Sequence, residues 1–203
     1  MYHYVRPMSA HLPNLKYLEL DNFKKQLDYF ESNYRFIKKA QFIKIIQDKM
    51  EPVKDSIILT FDDGFSDHYN YVFPELKKRG LWGIFYVCSD VIKKKLVLDV
   101  HRIHYILGAK DPNEIIVELK KTVTKKHLSH EHVEEFRKLT YRKQDNDKST
   151  LLAKRILNYY ISYSYRKEIL DELMQKFVSK DKSELHDELY LTSKQLKEIA
   201  ENG

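Results

Sequence analysis

Two adjacent carboxylates, Asp62 and Asp63, close a short apolar, β-branched run, Ser56-Ile57-Ile58-Leu59-Thr60-Phe61, and are followed at once by Gly64. In parallel α/β folds, reactive groups collect at the carboxyl ends of strands, where the chain turns back into a helix. Acidic strand ends of this kind also hold magnesium for phosphoryl chemistry. No phosphate-cradling glycine loop lies nearby in the chain, which argues against that use here. Neighbouring strand residues point to opposite faces, so both carboxylates enter one site only if the strand ends between them. Gly64 permits such an exit, because glycine adopts backbone conformations closed to other residues. Histidines offer a second chemistry. His101 and His104 stand three apart in a helical pattern and share a face, as do His127 and His130, with His132 nearby. Either pair could pinch a metal, or could be ordinary core or surface histidine.

The elements that must position the carboxylates read as strand, acidic tip and helix. An Asp-Gly step between apolar runs is also a β-hairpin signal. Against the hairpin, Tyr69, Val72, Phe73 and Leu76 recur at helical spacing, and Asp67 stands where an N-cap belongs. Pro74 falls inside that helix and predicts a late start or a kink. Gly80 supplies its stop. Leu81 to Cys88 reads as the next strand, giving a right-handed βαβ crossover with parallel, adjacent strands.

Upstream, Tyr2 to Val5 reads as a first strand with His3 near its end, and Arg6 to Leu15, containing Pro7 and Pro13, as a loop. Asp21 is placed to cap a helix with Phe23, Leu27, Phe30 and Tyr34 on one face. Arg35 to Ile37 reads as a short strand, and Phe42, Ile45 and Ile46 as a short helical face before Pro52.

Downstream of Asp90 the pattern turns helical throughout. Segments Val91 to Gly108, Asn113 to Lys126, Glu131 to Leu139, Leu151 to Tyr163 and Arg166 to Val178 each carry an apolar face. The alternation from Tyr159 to Tyr165 is the one place where a strand competes. Tyrosines there could stack on sugar rings or bases, or pack between helices. Thr192 is placed to cap a last helix to Asn202.

Thr60-Phe61-Asp62-Asp63-Gly64, with its preceding strand, its following helix and the Gly80-Leu81-Trp82-Gly83-Ile84-Phe85-Tyr86-Val87 strand, resembles the first motif of the polysaccharide deacetylases, the NodB-homology group or fourth carbohydrate esterase family. Met1-Tyr2-His3-Tyr4-Val5 and Leu191-Thr192-Ser193-Lys194-Gln195-Leu196 resemble two further segments in family order, while about Lys93 to Asp187 is not explained by the resemblance. The fold this implies is α/β: the amino-terminal part of a distorted (β/α) barrel over residues 1–90, a large all-helical insertion over 91–188, and a return to the α/β domain at 189–203.

The implied activity is metal-dependent hydrolysis of a non-peptide carbon–nitrogen bond, removing N-acetyl groups from a saccharide or polysaccharide. By the resemblance Asp62 is the general base acting on a metal-bound water, and Asp63 is a ligand of a divalent ion, zinc. His3 sits where related deacetylases carry a Tyr-His. It is read either as a further metal-side residue or as packing. The second family motif, two histidines three residues apart, normally follows a segment like Leu191 to Gly203, and the chain stops there. The motifs for the arginine and the histidine acid are missing too. The expectation is therefore a truncated product with an incomplete site, weak zinc binding and poor turnover.

The totals bound the alternatives. The chain has 203 residues, room for one domain or a domain with an insertion. The net charge is +6, but the 36 basic residues are interspersed with 30 acidic ones, which reads as a mixed solvated surface. The alternative function, a non-catalytic module for an anionic polymer or nucleic acid, leans on that charge and on the tyrosines. It leaves Asp62 and Asp63 unexplained, since carboxylates repel phosphate, so no nucleic-acid partner is expected. Cys88 is the single cysteine, excludes an internal disulfide and reads as a buried structural thiol. No signal-peptide layout opens the chain and no apolar run nears the ~20 residues a membrane span needs, so the expectation is a cytoplasmic protein.

Overall fold

The computed structural model describes residues 1–8, 11–129, 131 and 133–202. The chain forms two compact units, one from residues 1–8, 17–96 and 183–203, the other from 9–16 and 97–182. The fold class is α/β and rich in helix, with short strands.

In the first unit, β1 (Val5–Arg6) pairs in parallel with β2 (Leu18–Glu19), β3 (Arg35–Phe36) with β4 (Ser56–Ile57), and β5 (Leu59–Phe61) with β6 (Gly83–Phe85). The last pair settles the hairpin alternative. Leu59, Thr60 and Phe61 lie opposite Gly83, Ile84 and Phe85 in parallel register, and a helical segment joins the two strands. The expected first strand is shifted. Its regular part is Val5–Arg6, while Tyr2 makes an isolated parallel bridge to Phe61, with Tyr2 N–H donating to Thr60 O at 2.8 Å and Asp62 N–H to Tyr2 O at 2.9 Å. The expected strand from Leu81 to Cys88 is likewise only Gly83–Phe85, extended by Tyr86 N–H to Phe61 O at 2.8 Å.

Helix α1 (Leu20–Asn33) buries Phe23 and Leu27, and α2 (Lys39–Asp48) lies over Trp82, whose ring meets Phe42 and whose indole N–H donates to Ile37 O. Asp21 does not cap α1. Glu19 is the N-cap, no side chain bonds there, and Asp21 instead adds its charge to the first turn, where the helix dipole favours it. Between β5 and β6, a π-helical turn at His68–Val72 runs into α3 (Phe73–Arg79), and Pro74 falls directly after that turn, where the regular α-helical bonding pattern is already interrupted. Gly80 ends α3 in the left-handed conformation, φ 65°.

The core of this unit gathers Val5, Phe23, Leu27, Leu59, Phe61, Val72 and Leu76. Phe61 is at its centre, stacked on Tyr2 (5.5 Å between centroids) and on Phe85 (4.8 Å), with Phe23 edge-on at 6.2 Å. Burying such a side chain is worth about 1.5–3 kcal/mol, and aromatic pairs add to that. Arg79 ties α3 to α1 by bonding Asp28, Glu31 and Glu75, each at 2.6 Å. Helix α4 (Ser89–Lys94) follows β6, and α10 (Lys182–Leu189) and α11 (Ser193–Asn202) come from the far end of the chain. At α11, Gln195 N–H donates to Thr192 Oγ1 and Thr192 N–H to Gln195 Oε1, a reciprocal cap.

The second unit holds α5 (Asp99–Ala109), α6 (Pro112–Thr122), α7 (Val133–Leu139), α8 (Lys148–Arg155) and α9 (Tyr163–Phe177). The expected single helix from Val91 to Gly108 is broken, because Lys95 takes a left-handed conformation between α4 and α5. Tyr159 to Tyr165 is not a strand. Residues Ile156–Tyr160 form a π-helical turn and α9 begins at Tyr163. Tyr159 stacks on Phe136 at 4.7 Å, Tyr165 meets His127 edge-on, and Tyr163 is exposed under Arg166, so these rings serve the helices. Among the described residues, no helix is long and apolar enough to cross a membrane.

Gly83 is packed so closely that a Cβ there would lie 2.7 Å from Phe61 Cε2 and 3.2 Å from Leu59 O. A Cβ on Gly80 would meet no atom within 4 Å. The substitution Gly83→Ala is expected to lower the unfolding free energy by about 1–3 kcal/mol in a urea titration, through overpacking against a ring that cannot yield. Gly80→Ala should cost about 1 kcal/mol, through backbone strain alone.

Candidate active site

The strand β5 delivers Phe61 into the core and Asp62 just beyond its end. Asp63 and Gly64 then both take left-handed backbone conformations, with φ 74° and 66°. Aspartate tolerates this region better than most residues. The double turn breaks the strand alternation, so both carboxylates emerge on one side. Gly64 has a second reason to be glycine: a Cβ there would sit 2.9 Å from Val87 Cγ1. The turn is fastened from far along the chain. Leu191 N–H donates to Gly64 O at 2.9 Å, Phe65 bridges Tyr190, and Ser66 Oγ donates to Glu188 O at 2.6 Å.

His3 completes the group. Its Nε2 lies 3.8 Å from Asp62 Oδ2 and 3.8 Å from Asp63 Oδ2. The side chains are 45%, 25% and 32% exposed, so all three meet solvent without being fully out in it. The three residues expected to form the site therefore stand together. The two carboxylates border an open depression of about 500 Å³ lined by Met1, Thr60, Asp62, Asp63, Tyr86, Val87 and Cys88. Cys88 is thus half-buried at this depression rather than a sealed core thiol.

The helical segment after the turn holds the amino-terminal strand by two consecutive buried polar residues. Asp67 is not an N-cap. Its backbone is helical (φ −52°, ψ −36°), and its carboxylate accepts Arg6 Nε at 2.8 Å and the Val5 backbone N–H. Burial pushes the Asp67 carboxyl up, against the pull of the Arg6 guanidinium. His68, fully buried, has its Nε2 at 2.8 Å from His3 O. A carbonyl only accepts, so the ring carries its proton on Nε2. Its Nδ1 has no hydrogen-bond partner among the described residues, and the ring is surrounded by Phe61, Phe65 and Phe85. Sequence patterning overlooked His68 and Tyr86. A histidine on the inner side of the helix directly after the acidic turn was the available signal for the first, and for the second an aromatic at the strand end beside that turn.

The other histidines lie elsewhere. His101 is buried in α5, its ring 6.0 Å from that of His104. His127 Nδ1 accepts Thr124 N–H at 3.1 Å in a capping box, and His130 and His132 lie outside the described residues. Among the described residues, no group of three or more His, Cys, Asp and Glu side chains has the geometry of a metal site. The chemistry of His3, Asp62 and Asp63 suits a divalent ion, but their arrangement does not complete a site for one.

Desolvation lowers His68 from the ordinary 6.5 to about 4; the bond to the His3 backbone and the nearby Asp63 charge oppose this, and the His3 side-chain charge adds a smaller push downward. The neutral ring's contribution to stability is complete above pH 6.5 and is lost as pH falls toward 4. It amounts to about 3 kcal/mol. In His68→Gln, the unfolding free energy between pH 7 and pH 4 should fall by about that much less than in the parent chain, measured by urea titration at each pH.

The family model for polysaccharide deacetylase matches residues 49–158, more than half of the chain and well past Lys93, where the resemblance read from motifs stops. No curated protein matches significantly. Among solved structures, IcaB from Ammonifex degensii is 28% identical, with 45% of this chain and 38% of that chain covered and a TM-score of 0.38. A de-N-acetylase from Aggregatibacter actinomycetemcomitans is 21% identical, with coverage of 48% and 40% and a TM-score of 0.36. The Streptococcus pyogenes deacetylase PplD, solved with acetate, is 21% identical, with 78% of each chain covered and a TM-score of 0.39. The chain thus spans about two fifths of the length of the first two.

Proposed function

The chain belongs to the polysaccharide deacetylase family, and from that premise we propose that it is a hydrolase of non-peptide carbon–nitrogen bonds that takes N-acetyl groups from a saccharide. The observation that carries the reading is the pairing of Asp62 and Asp63 on one side of the strand end, with His3 Nε2 at 3.8 Å from both, beside an open depression. In this reading residues 1–90 and 189–203 belong to a distorted (β/α) barrel and 91–188 to a helical insertion.

Asp62 is the general base. Its carboxylate takes a proton from a water as that water adds to the acetamide carbonyl and returns it to the departing nitrogen as the carbon–nitrogen bond breaks, so that acetate and the sugar amine are the products. Asp63 and His3 are the chain's donors toward a divalent cation, zinc by family likeness. Two donors fall short of the three protein ligands that catalytic zinc takes, which supports weak binding and slow turnover.

Acetate release from an N-acetylglucosamine oligomer tests the reaction. A slow rate above background is expected, reduced about 10²-fold or more in Asp62→Asn. No release above background, or the same rate in the variant, would contradict it. Calorimetric titration with zinc should give a dissociation constant weaker than micromolar, abolished in Asp63→Ala. Sub-micromolar binding through Asp63 would show that the donor set is more complete than proposed.

A further inference from the structure

His3 is the residue at which the amino-terminal segment changes partners. Tyr2, before it, is bonded on both its N–H and its carbonyl to the β5 end, at Thr60 O and Asp62 N–H. Tyr4, after it, accepts Leu18 N–H at 3.0 Å, and Val5 enters the ladder with β2. Between these two pairings the His3 carbonyl accepts from the ring of His68 at 2.8 Å. The same imidazole packs against Phe61, the last residue of β5 before Asp62, and against Phe65, directly after Gly64. One buried side chain therefore touches both ends of the acidic turn and holds the backbone from which the His3 ring reaches the two carboxylates.

A purely apolar residue would fill the same pocket among Phe61, Phe65 and Phe85 and spare the burial of an unsatisfied Nδ1, a penalty the chain carries only if the Nε2 bond has a use. We infer that His68 is a positioning residue: by donating Nε2–H to the His3 carbonyl, it fixes the His3 imidazole against Asp62 and Asp63. This rests on reading those three residues as one site. Glutamine is the informative replacement, because its amide nitrogen can reach the place of Nε2 and donate the same bond. Leucine fills the pocket without a donor.

The experiment follows carbethoxylation of His3 by diethyl pyrocarbonate, mapped by mass spectrometry, in the parent chain, His68→Gln and His68→Leu. Labelling of His127 serves as the control for general loosening. In His68→Leu, His3 should label faster by about threefold or more, the scale of one hydrogen bond's net contribution, with His127 unchanged. His68→Gln should stay within about twofold of the parent. Equal His3 rates in the parent and leucine variants, or a rise shared by His127, would overturn the inference. Imidazole ¹⁵N shifts of the parent chain test it without any variant: the proton belongs on Nε2 of His68, and a proton on Nδ1 alone would exclude the bond. Acetate release separates the two readings. If the parent chain releases none, the deacetylase reading fails while labelling still judges His68. Where release is measurable, His68→Leu should add no further loss in a His3→Ala background.

Discussion

Neighbouring residues on a strand face opposite ways, and a site built from Asp62 and Asp63 exists only because the backbone abandons the strand between them. The departure takes two consecutive left-handed residues, Asp63 and Gly64. A left-handed non-glycine residue is strained by about 1–3 kcal/mol, and such strain persists where surrounding structure over-determines it. Here the determinants are visible. Val87, two residues beyond β6, presses on Gly64, Leu191 bonds its carbonyl, and the helical segment beginning at Ser66 is anchored at Glu188. The acidic pair is the outcome of these constraints acting together, not a local property of an Asp-Asp-Gly sequence.

The packing beneath the turn does the same work from below. Phe61 is clamped between Tyr2 and Phe85, and so the point where β5 ends is fixed to the rings of two neighbouring segments. The helix that follows reaches back to the amino-terminal strand through Asp67, to Arg6 and Val5, and through His68, to His3. Each buried polar group there has a long-range partner on that strand. Stability and site geometry are therefore carried by the same few residues, and a change that loosens one is felt by the other.

The strand, acidic turn and helix were legible because each has a local signature: a β-branched run, a glycine that frees the backbone, and apolar residues at helical spacing ending in Gly80. Thr192 was legible for the same reason, since a cap is decided within four residues. What stayed hidden depends on distant partners. Asp67 has the chemistry of an N-cap, but Arg6 and Val5 claim its carboxylate. His68 was passed over within the helical pattern, because its partner is a carbonyl 65 residues away. The strands proved shorter than their apolar runs, and the break at Lys95 falls where lysine, a good helix former, gives no warning. Cys88 was misplaced because a strand end beside an acidic turn opens to solvent sooner than its apolar sequence suggests.

The fastening of the turn by residues 188–191 has a bearing on how the molecule is made. Loop closure over more than a hundred residues must precede those bonds, and long-range contacts of this kind slow folding. During synthesis from the amino terminus, β5, the turn and α3 emerge well before Glu188, Tyr190 and Leu191. The nascent chain can form the βαβ unit early, yet the acidic turn stays without its outer clasp until residues 188–191 have left the ribosome. The acidic turn thus waits on partners that leave the ribosome more than a hundred residues after it.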